Sequence, residues 1–139
     1  MQIAVCDDEV SQNDLIIEYI CLWTEQYNEP VEVYSYSSAI EFLYYWSEGK
    51  RFDIIFLDIN MEKMNGVDLA RLLRKSGDTA SIVFLTGLKD YVFQGYKVQA
   101  LDYLLKPIKK RNVSHALTKP IRTGVAEQYL LSLPWVVCC

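Results

Sequence analysis

Apolar runs recur along this chain with helix-length stretches between them, and four of the runs stop at a polar residue. QIAVC leads to Asp7 and Asp8, FDIIFL to Asp58, SIVFL to Thr86 and ALDYLL to Lys106. A fifth run, VEVYSY, keeps the same rhythm with more polar content. The intervening stretches, residues 10–27, 39–48, 67–75, 91–96 and 108–119, read as helices. Strands alternating with helices need right-handed crossovers, which yield a parallel sheet covered on both faces. The expected fold class is therefore α/β: a doubly wound five-stranded parallel sheet in three layers, α/β/α. FDIIFL and SIVFL are nearly continuous apolar runs, as strands buried on both faces require, whereas VEVYSY suits an edge.

Local signals support these boundaries. Ser38 with Glu41 three residues later reads as a capping box, and Gly49 as a helix stop. Asn65 and Gly66 mark a turn before a stripe of Val67, Leu69, Ala70, Leu72 and Leu73. In the first helix, Leu15, Tyr19, Leu22 and Trp23 are expected to face inward while Glu18 and Glu25 face water.

Ligands of open α/β sheets bind beyond the carboxyl ends of the strands, where strand order reverses. The four polar strand ends would meet there. Asp58, at the end of the most buried run, could attack phosphorus and hold the phosphoryl group as an acyl phosphate. Asp7 and Asp8 would stand beside it, and crowded carboxylates repel unless a cation neutralises them. A hard divalent ion answers that need: Mg²⁺ takes one or two carboxylates and phosphate oxygens and keeps several waters. Asp7, Asp8 and Asp58 are the expected metal residues, with the backbone carbonyl of Asn60 as a neutral fourth oxygen. Lys106 offers a compact positive charge and Thr86 a hydroxyl for the remaining phosphate oxygens. Taken singly, each has an ordinary reading: Asp58 as a strand-ending loop residue, Lys106 as a strand end before Pro107, Thr86 as a partner of loop backbone. Lys106 and Thr86 are expected to serve the bound phosphoryl group rather than folding.

These segments resemble the receiver domain of bacterial two-component response regulators. The matching pieces are Val5-Cys6-Asp7-Asp8-Glu9, Leu57-Asp58-Ile59-Asn60-Met61 with Asn65-Gly66, Leu85-Thr86-Gly87, and Asp102-Tyr103-Leu104-Leu105-Lys106-Pro107-Ile108, so that the resemblance covers about residues 1–118. It implies a flavodoxin-like (CheY-like) fold, with Asp58 as phosphoacceptor, Asp7 and Asp8 as acidic pocket and Thr86 as switch hydroxyl. It also implies Lys106 as the phosphate-binding lysine and Tyr103 as an aromatic that reorients on activation. Residues 91–103 look more particularly like receivers joined to LytTR-type DNA-binding domains. A sensor histidine kinase is the implied partner. The implied output is a switched protein-interaction surface of the 91–96 segment, the fifth strand and the last helix, which also serves as a homodimer face. Such a chain is a phosphoacceptor signalling domain, not a conventional enzyme.

Two departures from the family pattern stand out. Glu62 occupies a loop position where many receivers have Pro, and residues 120–139 form an apolar stretch interrupted by Pro120, Gly124 and Pro134. The expected division is a receiver at 1–119 and an irregular tail at 120–139, without an effector domain. Gly87 is small enough to leave the phosphoryl site accessible.

Other function classes fit less well. With 139 residues the chain has room for one core, and its net charge of -4 argues against direct DNA binding. No run is long enough to span a bilayer, no signal-peptide pattern follows Met1, and a cytoplasmic setting is expected. Cys6 and Cys21 read as small buried hydrophobes, and a zinc site is disfavoured with one His, His115, in the chain. A flavodoxin-like electron carrier needs a phosphate-cradling loop after the first strand, where Asp7, Asp8 and Glu9 would repel the anion. An Asp-nucleophile phosphatase wants a second acid two residues after the nucleophile, where Asn60 stands. A phosphorylation-independent protein-interaction module is the remaining alternative.

Overall fold

The computed structural model describes residues 1–87 and 100–122. Within them, strands and helices alternate as β1 (Gln2–Cys6), α1 (Val10–Tyr27), β2 (Glu32–Tyr36), α2 (Ala39–Ser47), β3 (Ile54–Asp58), α3 (Gly66–Lys75), β4 (Ser81–Thr86), β5 (Asp102–Leu105) and α4 (Lys110–Arg122). The helical segment expected at 91–96 and the residues beyond 122 lie outside the described residues. The sheet is five-stranded, in the order β2-β1-β3-β4-β5. All four pairings are parallel.

Period-two alternation along the central strands divides the core into two halves. Ala4, Cys6, Ile55, Leu57, Ile82 and Phe84 face the side packed by α2 and α3. Ile3, Val5, Ile54, Phe56, Val83 and Leu85 face the side closed by Ile16, Ile20 and Trp23 of α1 and Val113, Ala116 and Leu117 of α4. Every residue of β3 is buried, while β2 lies at the edge with mixed exposure.

The caps differ in detail from their expected form. The Ser38 hydroxyl accepts from the Glu41 backbone N–H at 3.0 Å, but the Glu41 carboxylate accepts from the Ser37 N–H and hydroxyl, at 3.3 Å each, one residue before the cap. The buried stripe of α1 also differs: Asn13, Ile16, Ile20, Cys21, Trp23 and Thr24 are inside, Leu15 and Tyr19 are half-buried, and Leu22 is exposed. Leu15, Ile16, Ile17, Tyr19, Ile20 and Leu22 offer apolar groups in several helical phases, so docking against the sheet and α4 selects among them. The last helix extends to Arg122, three residues beyond its expected end.

Candidate functional site

Strand order reverses between β1, which leads to β2 on one side, and β3, which pairs on the other. The acids expected to cluster flank this point. Cys6 is the register partner of Leu57, so Asp7 follows its strand end alongside Asp58. Two backbone bonds continue the neighbouring ladders: Ile59 N–H donates to Leu85 O at 3.1 Å and Lys106 N–H to Thr86 O at 2.8 Å. The ends of β1, β3, β4 and β5 thus share one rim, and Lys106 leads into a cis peptide bond with Pro107.

One carboxylate oxygen from each of Asp7, Asp8 and Asp58 lies within 4.8 Å of the others. Asp7 and Asp58 are buried and Asp8 is exposed, so the cluster opens to solvent through Asp8. Lys106 Nζ stands 3.2 Å from Asp7 Oδ2 and 3.2 Å from Asp58 Oδ1. Asp7 is held on every side: its N–H donates to Tyr36 O at 3.1 Å, and its Oδ1 accepts from Glu9 N–H at 2.9 Å. Its carbonyl accepts from Asn13 Nδ2 at 3.0 Å.

Burial, reinforced by the negative charge of Asp7, raises the Asp58 pKa from 3.8 to about 6 although Lys106 opposes the shift. Burial also works against the charge of Lys106, yet Asp58 and Asp7 outweigh it and its pKa lies above the ordinary lysine value. One ammonium therefore incompletely neutralises two buried carboxylates with a third beside them. Asp58 Oδ1 is fully buried and has an ion-pair partner but no well-aligned hydrogen bond. This donor set, all oxygen and over-supplied with negative charge, fits a hard divalent cation.

The loop from β3 to α3 is built against the acid. A Cβ on Gly66 would collide with the backbone carbonyl of Asp58, so glycine is required there. Gly66 N–H donates to Ile59 O at 2.9 Å, Met64 N–H to Glu62 O at 2.8 Å, and Asn65 Oδ1 caps α3 through Asp68 N–H at 2.9 Å. Met61 is buried with its sulfur 3.8 Å from Cys6 Sγ. Glu62 and Asn60 are exposed, and the loop is anchored without a proline.

Of the other expected residues, Thr86 is buried at the end of β4. Around Gly87 a Cβ would meet nothing within 4 Å among the described residues. Tyr103 is half-buried and packs on Phe84, with ring centroids 5.3 Å apart. Lys119 of α4 reaches back to Asp102 at 2.9 Å, tying that helix to the start of β5. His115 is exposed. Two contributors went unread in the sequence: the close approach at Gly66, and Asn13, whose signal is a polar residue inside the apolar 13–16–20 stripe of α1.

Comparison with known proteins agrees with this geometry. The family model for the response regulator receiver domain matches residues 3–118. The chain is 31% identical over 120 residues to the sensory transduction protein LytR of Staphylococcus epidermidis, covering 86% of this chain and 45% of that protein. It is 32% identical over 119 residues to LytT of Bacillus cereus, covering 86% and 46%. The chain thus spans about half the length of these relatives. Among solved structures, the response regulatory domain of mrkE from Klebsiella pneumoniae superposes with a TM-score of 0.78 at 27% identity, covering 92% of this chain and 99% of that one. Fold, strand-end acids and sequence likeness agree, and the chain belongs to the response regulator receiver domain family of two-component systems.

Proposed function

We propose that Asp58 is the phosphoacceptor of this receiver and that a sensor histidine kinase is its phosphoryl source. The observation that carries the reading is the meeting of Asp7, Asp8, Asp58 and Lys106 at the point where strand order reverses. In the transfer, an Asp58 carboxylate oxygen forms the new bond to phosphorus as the bond from phosphorus to the donor breaks, and the donor departs with that electron pair. Asp58 must be ionised to attack.

Asp7, Asp8, Asp58 and the Asn60 carbonyl would hold Mg²⁺. Bound there, the ion would supply charge neutralisation for the carboxylates and the phosphoryl oxygens. Lys106, already drawn to two carboxylates, is placed to exchange one of them for a phosphoryl oxygen. Thr86 turns its hydroxyl toward the phosphoryl group, and Tyr103, half-buried against Phe84, packs further inward, changing the face made by β5 and α4. That face presents the output to a partner or to a second copy of the chain. The likeness to the transcriptional regulatory protein LytR of Staphylococcus aureus, 35% identical over 69 residues, supports transcriptional control as the output.

Incubation with a small phosphodonor, followed by intact mass measurement, tests the transfer. A gain of one phosphoryl group in Mg²⁺ and none in chelator is expected. Equal labelling in both would overturn the metal assignment, and no labelling in Mg²⁺ would overturn the phosphoacceptor reading.

A further inference from the structure

Asn13 is 2% exposed, closes the first turn of α1, and spends both amide hydrogens on strand ends. Its Nδ2 donates at 3.0 Å to the carbonyl of Asp7 and at 3.0 Å to the carbonyl of Tyr36. Both neighbours are acceptors, so the orientation of the amide is determined by its surroundings. Its Oδ1 is buried and has no hydrogen-bond partner among the described residues. A buried acceptor left unmatched works against stability, and such a group calls for an explanation.

The explanation lies in what the two donated bonds hold. The Asp7 N–H is tied to Tyr36, its Oδ1 to Glu9 N–H and its Oδ2 to Lys106. The carbonyl, held by Asn13, belongs to the peptide that joins Asp7 to Asp8. Rotation of that peptide plane would swing Asp8, the exposed acid through which the cluster opens, away from the other two. We propose that Asn13 is a positioning residue: it locks the Asp7–Asp8 peptide and thereby sets the reach of Asp8 toward a divalent cation. The inference rests on the acidic-pocket reading above and adds to it a residue outside the cluster. Mutating groups that orient metal ligands in this way typically costs about ten- to hundredfold in metal affinity or activity.

The test uses the full chain and Mg²⁺ alone as ligand. Asn13→Leu keeps the approximate volume of the side chain and removes both donors. Mg²⁺ affinity is read by calorimetric titration, and phosphorylation by a small donor is followed across Mg²⁺ concentrations. The expected result is affinity weakened about tenfold, with the half-saturating Mg²⁺ concentration raised by the same factor and the rate at saturating Mg²⁺ near that of the wild type. Wild-type affinity in a folded variant would overturn the inference and leave the phosphoacceptor reading intact; so would a fall in the saturated rate alone. A wild-type chain that neither binds Mg²⁺ nor labels would overturn both.

A second measurement needs no variant. In the wild type, the Asn13 side-chain amide protons should exchange slowly with solvent and shift on Mg²⁺ addition, while those of exposed Asn28 exchange fast and stay fixed. Fast exchange at Asn13, or no shift on saturation, would overturn the inference even if Asn13→Leu fails to fold.

Discussion

Lys106 joins two buried carboxylates that would otherwise repel each other, so before any phosphoryl group arrives it already has a structural task. Its motif suggested a residue that serves the phosphate rather than folding; the two ion pairs are the ground for expecting a cost to stability as well. Removing one partner of a buried pair strands the other charge. Lys106→Ala should lower stability in chelator by roughly 2–3 kcal/mol, less than for a fully buried pair because the ammonium is partly exposed. Urea unfolding measures this, and an unchanged midpoint would contradict the ion-pair geometry. Asp58 works in the opposite sense. Its folded pKa, about 6, lies above the ordinary carboxylate value of 3.8, so the folded state binds the proton more tightly than the unfolded state. The contribution of Asp58 is therefore unfavourable above about pH 6 and fades as pH falls toward 4. In chelator at pH 7, Asp58→Asn should melt higher than the wild type, and the gap should close toward pH 4. A variant less stable at pH 7, or a gap that widens on acidification, would reject the shift.

At the scale of elements, the loop from β3 to α3 shows how backbone contact serves chemistry. Gly66 lies too close to the Asp58 carbonyl for any side chain. Gly66→Ala should displace the loop, destabilise the fold by about 1–3 kcal/mol and slow phosphorylation. Thermal melts and labelling rates check both, and wild-type behaviour in both would remove this constraint. Strand ends carried most of what was legible in the sequence, because a parallel sheet brings the residue after each strand to one rim whatever the loops do. Asp7, Asp8, Asp58, Thr86 and Lys106 all gained their places this way. Helix phase was less legible: α1 is apolar around much of its circumference, and only docking against the sheet chooses Ile16 and Ile20 over Leu15 and Leu22. Asn13 and Gly66 were hidden for a related reason. The polar break at Asn13 does not say that its partner is the Tyr36 carbonyl, and the turn at Asn65-Gly66 does not say that the loop folds back onto the Asp58 carbonyl.

At the scale of the whole molecule, the core side chains contributed by the described residues come no later than Leu117, within the span that matches the family. A chain ended at residue 122 should therefore unfold cooperatively and keep Mg²⁺-dependent labelling. Loss of either on truncation would assign residues 123–139 a part in the receiver itself. The central claim concerns one atom pair, a bond between phosphorus and the Asp58 carboxylate oxygen, placed where four strand ends converge. Reductive trapping of the acyl phosphate, followed by peptide mass mapping, reports that bond directly. The account predicts a single trapped site at Asp58 in the wild type and none in Asp58→Asn; trapping at Asp7 or Asp8, or undiminished labelling of the variant, would contradict it.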